Sequence, residues 1–425
     1  VLPRKEVAMA KDESKQGISR RALIGGAGAV AGSAGLLAGC KYGTQLFLLR
    51  SAPSAEETQA TWAESRVQSY RELGRTGFRI SDISFGCSGL DDPNVVRRAI
   101  EKGINYFDTS PDYSNELSER SLGEGIKGTP RDKLFIASKF CTSGGHLAND
   151  TPVADVIAAV EGSLTRLQTD YLDLAHIHAV NSIDRLMAPN LHEAFDRLKE
   201  QGKVRHLGVS SHTPDLETVM RHAVDNGRFD VIMVAYNFHN WPGLTEIFAE
   251  AHRKRVGVVA MKTLKGAHHT KLAGFTPTER ETFAQAAFKW VLSNSDVDGL
   301  VVTMDRLNLV DEYLVASGQP VTPDDVALLE KYDSLTTRDY CRPGCGDCLD
   351  ACPHGVPVND VMRYAMYYEN YHQQKEAMRL YAKVDPARAA DHCAGCSAPC
   401  ESSCSYGIPI RNKLALADRT LRLFA

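Results

Sequence analysis

Most of the cysteines fall in two sets near the C-terminal end of the chain. These are Cys341, Cys345, Cys348 and Cys352, then Cys393, Cys396, Cys400 and Cys404. Their spacings are C-x3-C-x2-C-x3-C-P and C-x2-C-x3-C-x3-C. Thiolates so spaced can wrap one cubane corner by corner, so two 4Fe-4S clusters are the first expectation. Structural zinc also takes paired C-x2-C sets, and disulfides are the default for cysteines outside the cytoplasm. Both stay open, although such tight spacing makes four unstrained bridges awkward. "PHGVPVNDV" follows the first set and "SYGIPIRNKL" the second, which makes the tail an internal repeat.

A second group of residues is scattered along the middle of the chain: Asp108, Tyr113, Lys139 and His178. A lysine cation beside a tyrosine lowers the phenol's pKa, and an aspartate fixes and balances the lysine. A histidine can then orient a carbonyl oxygen or relay its proton. Together they would make a general acid suited to carbonyl reduction. Taken singly, each has a plainer role, since a lysine at a strand end is usually solvated and Asp108 can cap a following helix. His176 and His178 point to one face of a strand and could instead begin a metal site. Cys87 and Cys141 read as packing or pocket residues.

The elements that must position these residues are short β-branched runs alternating with helix-length amphipathic segments, the pattern of parallel β/α units. The runs cover residues 82–87, 104–110, 133–140, 172–178, 204–211, 229–237, 256–262 and 299–304. Between them lie stretches such as "TPVADVIAAVEGSLTRLQ", with apolar residues at helical spacing and Thr151 and Pro152 as start signals. This many pairs in one stretch implies an α/β fold, a (β/α)8 TIM barrel, whose chemistry lies at the C-terminal ends of the strands. Asp108, Lys139 and His178 end successive strands, and Tyr113 lies in the loop after the second. In the tail, "VMRYAMYYENYHQQKEAMRLYAKV" reads as one long helix between the cysteine sets.

"YRELGRTGFRISDISFGC", "FDTSPDYSNELSERSLGEGI" and "DYLDLAHIH" resemble the opening hairpin, the Asp and Tyr segment and the His segment of the aldo-keto reductases. The resemblance covers residues 70–317 and implies an oxidoreductase with Tyr113 as proton donor, tuned by Asp108 and Lys139, with His178 positioning the substrate. It also implies an extended nicotinamide cofactor, NADP(H), across the barrel top. There the sequence departs from the family. Ser210 is kept, but Ser211 stands where an Asn is usual, Met233 where a Gln is usual, and Met261 and Lys262 where a Tyr would stack under the ring. Arg306 is the remaining candidate partner for a 2'-phosphate and Glu312 for adenine, and a phosphate dianion with few cationic partners is held weakly.

The tail resembles a two-cluster bacterial ferredoxin with one extra residue in each set. In those proteins the last cysteine of each run ligates the other cluster. The resemblance implies Cys341, Cys345, Cys348 and Cys404 on one cluster, and Cys393, Cys396, Cys400 and Cys352 on the other. Barrel proteins carrying such tails also have Met261 and Lys262 at the corresponding positions. The expected architecture is therefore a barrel at 70–317, a connecting helix at 318–340 and a small, mainly helical, ferredoxin-like dicluster domain at 341–425.

Residues 22–40 carry no charge and follow Arg20 and Arg21, the order of a targeting segment. "SRR" before a weakly apolar run resembles a twin-arginine signal, an address for cargo that crosses the membrane folded. Residues 37–40, "LAGC", resemble a lipobox, which would lipidate Cys40; a retained anchor or plain cleavage are the alternatives. This predicts an export segment over 1–40, a linker over 41–69 and an extracytoplasmic, membrane-attached protein. The 49 Lys+Arg against 53 Asp+Glu leave no basic footprint for nucleic acid. Two functions follow. One is a membrane-associated iron-sulfur oxidoreductase acting on a carbonyl or alcohol and exchanging electrons with a redox partner. The other is a non-catalytic electron-transfer subunit of a membrane complex with a retired reductase barrel.

Overall fold

Each of the β-branched runs becomes a strand, because side chains buried on both faces favour a parallel sheet wrapped by helices. The computed structural model describes residues 62–238, 242–264, 282–342, 344–370 and 373–422. The segment expected to direct export, with Cys40, lies outside them. A hairpin of β1 (Tyr70–Glu72) and β2 (Arg79–Ser81) opens the described fold. The barrel strands are β3 (Ile83–Gly86), β4 (Tyr106–Asp108), β5 (Phe135–Lys139), β8 (Leu172–Ile177), β9 (Val204–Ser211), β10 (Val231–Ala235), β11 (Gly257–Met261) and β12 (Gly299–Thr303). After β5 comes a small antiparallel hairpin, β6 (Cys141–Thr142) and β7 (Gly145–His146). The barrel closes in the order β10-β11-β12-β3-β4-β5-β8-β9, with every neighbour pair parallel.

Leu73 and Ile80 of the opening hairpin plug the N-terminal end of the barrel, packing with Tyr106, Phe135, Leu174 and Met233 inside it. Gly74 makes that plug fit. It sits at φ +49°, and an added Cβ would lie 2.2 Å from the backbone nitrogen of Gly257, closer than a real side chain can stand. A larger apolar layer fills the space between strands and helices. The helix over Val153–Leu167 starts where expected, with Pro152 in front of it, but no side chain caps it.

The connecting helix is Pro323–Thr336, opened by a capping box between Thr322 and Asp325. Beyond it the tail is helical, with its own apolar core of Val356, Val361, Ile408, Ile410, Leu414 and Leu421. The single long helix expected between the cysteine sets is two, Val358–Asn370 and Gln374–Tyr381. The backbone of Gln373 leaves helical geometry at φ -98° and ψ 52°. Its N–H bonds the Tyr367 carbonyl at 3.0 Å, so the second helix folds back on the first.

The tail lies on the C-terminal face of the barrel. Arg379 donates to the carbonyls of Ser143 and Gly144 at 3.3 and 3.5 Å, and Lys383 donates to Gly144. Lys262, just past β11, donates to the Tyr367 hydroxyl at 3.1 Å.

Candidate active site and cysteine centres

Asp108 and Lys139 end adjacent strands, β4 and β5, so parallel register sets them side by side at the barrel mouth. The Lys139 ammonium donates to Asp108 Oδ1 at 2.6 Å and to the Thr109 carbonyl at 2.7 Å. It also lies 4.7 Å from the centre of the Tyr113 ring, within reach of a cation–π contact. The pair is buried, with side chains 1% and 5% exposed. Burial pushes the Asp108 carboxyl up while Lys139 pulls it down.

The expectation that Lys139 lowers the Tyr113 phenol is overturned. Burial, joined by the charges of Asp108 and Asp112, pushes the phenol well above its ordinary value. The physical reason is that the ring is fully buried and the Asp108 and Asp112 carboxylates disfavour a second negative charge beside them, which together outweigh the lysine. Tyr113 is thus held protonated, a donor rather than a phenolate.

His178, one residue past β8, presents its ring edge-on to Tyr113 with centroids 6.2 Å apart. Its Nδ1 lies 3.3 Å from Cys141 Sγ and 3.9 Å from Asp112 Oδ2, and its ring is 4.3 Å from that of His146. Burial, helped by His146 and Lys139, holds this imidazole well below the usual range, so it is neutral at pH 7. His176 is elsewhere. It is fully buried inside the barrel, packed so closely on β9 that a Cβ on Gly208 would lie 2.5 Å from its Nδ1. Its Nε2 is 3.9 Å from Asp108 Oδ2. The His176 and His178 pair therefore does not open a metal site.

The positions expected to cradle nicotinamide keep only part of the family's pattern. Met233 is 1% exposed in the barrel core and offers no amide. Ser211 donates its hydroxyl proton to the Val180 carbonyl at 2.7 Å, and Ser210 Oγ accepts from the Ala179 N–H at 3.0 Å. Met261 packs on the inner core. Lys262, at φ +55° in the left-handed region that strains a non-glycine residue, is taken by Tyr367 of the tail. Arg306 is exposed and pairs with Asp305 at 3.1 Å, while burial pushes the Glu312 carboxyl up against a hydrogen bond from Thr282. What results is a mouth in which Met233 stands where an amide is usual, the Asn237 amide donates to the Lys262 carbonyl at 3.2 Å, and a tail side chain meets Lys262 at the expected ring position.

In the tail the eight cysteines sort into two cavities. One is lined by Cys341, Cys345, Cys348 and Cys404, with Val358, Met362, Ile408 and Ile410. The other is lined by Cys352, Cys393, Cys396 and Cys400, with Val356, Val358 and Leu414. The grouping crosses between the sequence sets, as the ferredoxin resemblance implies. None of the described cysteines is in a disulfide. Burial and neighbouring thiols push Cys341, Cys348 and Cys393 up to about 12, because several thiolates together repel without a cation among them.

The sequence reading missed two things. Cys141, taken as a packing or pocket residue, gathers with Asp112, His146 and His178; the residue two past Lys139 was the signal. Tyr367 had none, since no local pattern says that a tail helix meets Lys262.

Residues 91–276 match the Aldo/keto reductase family model. L-galactose dehydrogenase of Arabidopsis thaliana is 29% identical over 310 residues, covering 63% of this chain and 96% of that protein. A probable aldo-keto reductase of Glycine max is 33% identical over 171 residues, which span 36% of this chain and 47% of that protein. Among solved structures, an aldo-keto reductase of Bacillus halodurans in holo form superposes with a TM-score of 0.51 at 25% identity, covering 62% of this chain and 95% of that one. Over residues 91–276 the chain is thus similar to the Aldo/keto reductase family, and it is an oxidoreductase on the barrel that these relatives share.

Proposed function

We propose that this oxidoreductase acts on a carbonyl or alcohol at Tyr113 and exchanges electrons with a partner through two 4Fe-4S clusters held by the tail. The observation that carries the proposal is the helix Val358–Asn370. It lines the first four-thiol cavity with Val358 and Met362 and carries Tyr367 onto Lys262 in the barrel mouth. Five helical residues rise about 7.5 Å, so the cavity and the mouth are close neighbours.

The residues fit the clusters. Each cavity offers four thiols, the donor set of a cubane, among mostly apolar side chains, with Asp347 and Tyr406 also lining the first and His354 and Arg411 the second. When bound, clusters of that kind supply one-electron transfer. In the barrel, Tyr113 gives or takes the proton at the substrate oxygen, Asp108 and Lys139 hold the ring's surroundings fixed, and His178 orients that oxygen; the hydride at the substrate carbon needs a two-electron carrier of the nicotinamide class between it and the one-electron clusters. The Arabidopsis relative's name points to an aldose as the alcohol. The Gly/Ala-rich run after Arg20 and Arg21 supports export with the folded tail aboard, membrane attachment through the N-terminal segment, and a membrane complex or redox protein as the electron partner.

Electron paramagnetic resonance on anaerobically purified full chain tests this. Dithionite is expected to produce reduced-cluster signals, NADPH to produce them as well, and an oxidisable aldose to produce them only with NADP+ present to take the hydride. Replacing Tyr113 by Phe should slow the aldose-driven signal by roughly 10²–10⁴-fold and leave the dithionite signal unchanged. Silence under dithionite sinks the cluster assignment, silence under NADPH sinks the link between barrel and tail, and an unaffected Y113F sinks the role of Tyr113.

A further inference from the structure

We propose that Asp112, Cys141, His146 and His178 form a zinc site at the mouth of the barrel, distinct from the cysteine centres of the tail. Their donor atoms all lie within 4.8 Å of one another. Cys141 Sγ is 3.3 Å from His178 Nδ1, and Asp112 Oδ2 is 3.8 Å from His146 Nε2 and 3.9 Å from His178 Nδ1. A tetrahedral ion with bonds of 2.0–2.3 Å has donor-to-donor edges of about 3.3–3.8 Å, so shifts of well under an ångström close the shell.

The fold builds this set deliberately from separate loops. Cys141 and His146 face each other across the β6–β7 ladder, and directly opposed residues of an antiparallel pair share a face with their Cβ atoms close together. Asp112 comes from the turn after β4, where the Ser110 hydroxyl bonds it. His178 comes from the end of β8. Among the described residues, no Lys or Arg ion-pairs directly with Asp112, whose side chain is 12% exposed; the two imidazoles lie within 4 Å of it, and the Arg379 guanidinium of the tail and the Asp108 carboxylate act on it from farther off.

The donor chemistry selects the metal. One thiolate, two imidazoles and one carboxylate suit borderline Zn2+, whereas Mg2+ and Ca2+ want oxygen alone and a lone thiol cannot hold an iron-sulfur cube. Binding releases the Cys141 thiol proton, and the ionised Cys141 and Asp112 then balance the ion's charge. Four protein ligands make a closed, structural type of site. One consequence rests on the proposed role of Tyr113: with Nδ1 on the metal, His178 must keep its proton on Nε2 and act as a donor toward the substrate oxygen. A second does not. The ion would fix the hairpin whose tip, Ser143 and Gly144, receives Arg379 and Lys383 of the tail.

Zinc and iron analysis of the anaerobically purified full chain, with zinc K-edge absorption spectroscopy, tests the site without interference from iron. A single retained zinc is expected, with one sulfur near ~2.3 Å and nitrogen or oxygen at ~2.0–2.2 Å. His146→Ala removes an exposed ligand and should weaken zinc by at least ~10-fold in a chelator competition, since even outer-shell losses reach 10–100-fold. Cys141→Ser should erase the sulfur shell with iron unchanged. No zinc bound after zinc is supplied overturns the proposal. So does zinc with four sulfurs, which would lie in a tail cavity; missing iron in that sample would mark failure of the cluster assignment separately.

Discussion

The Asp108 and Lys139 pair decides what Tyr113 can do. Neither charge reaches water: the ammonium lies 4.7 Å from the centre of the Tyr113 ring while its partner carboxylate disfavours the phenolate. Removing one partner leaves the other as an uncompensated buried charge, which costs about 3–5 kcal/mol, whereas removing both is often nearly neutral. Lys139→Met is therefore expected to lower the melting temperature by several degrees, and Asp108→Asn with Lys139→Met together to recover most of it. A double variant no more stable than the single, in thermal unfolding followed by circular dichroism, would mean that the two do not act as a pair. Activity should stay lost in both, because the site no longer carries its polar floor.

At the scale of elements, the plug hairpin and the strand starts are tied by Asp230. It accepts from Arg75 Nε at 2.7 Å and from the Leu207 N–H at 3.1 Å, with His206 3.4 Å away. Burial pushes its carboxyl up, but His206, Arg75 and Leu207 overcome this and hold it down to about 2. A depressed folded pKa contributes stability above the unfolded value of 3.8 that is lost as pH falls from about 4 toward 2. Asp230→Asn is expected to cost about 2 kcal/mol at neutral pH. The cost should shrink as pH falls from about 4 toward 2, where the folded carboxylate takes up its proton. A cost that persists unchanged at about pH 2 would assign the effect to another residue.

Across the whole molecule, the tail is more than an appendage, because it brings Tyr367 to Lys262 and covers the barrel mouth. The crossed cysteine grouping makes a specific demand on variants. Cys404→Ser and Cys341→Ser should perturb the same paramagnetic species, and Cys352→Ser and Cys393→Ser the other, each losing roughly four of about eight irons. If Cys404→Ser instead affects the species that Cys393→Ser affects, the sets are not crossed.

The sequence alone determined the barrel, since strand order and helix alternation follow from local periodicity and from the right-handed parallel connection that each β/α unit obeys. Asp108, Lys139 and His178 were legible for the same reason: strand ends can be counted, and in a barrel they share one face. The cysteine sets were legible because their thiols repeat at fixed short spacing. The break in the tail helix at Gln373 was not, as that stretch contains no glycine or proline to announce it. Nor were Asp112 and His146 as companions of Cys141 and His178, or Tyr367 on Lys262. Those depend on side chains from distant segments meeting across space, and on the fields that then act between them. Burial of the ring and the carboxylates of Asp108 and Asp112 beside it, visible only in the folded chain, reversed the direction in which the Tyr113 phenol shifts.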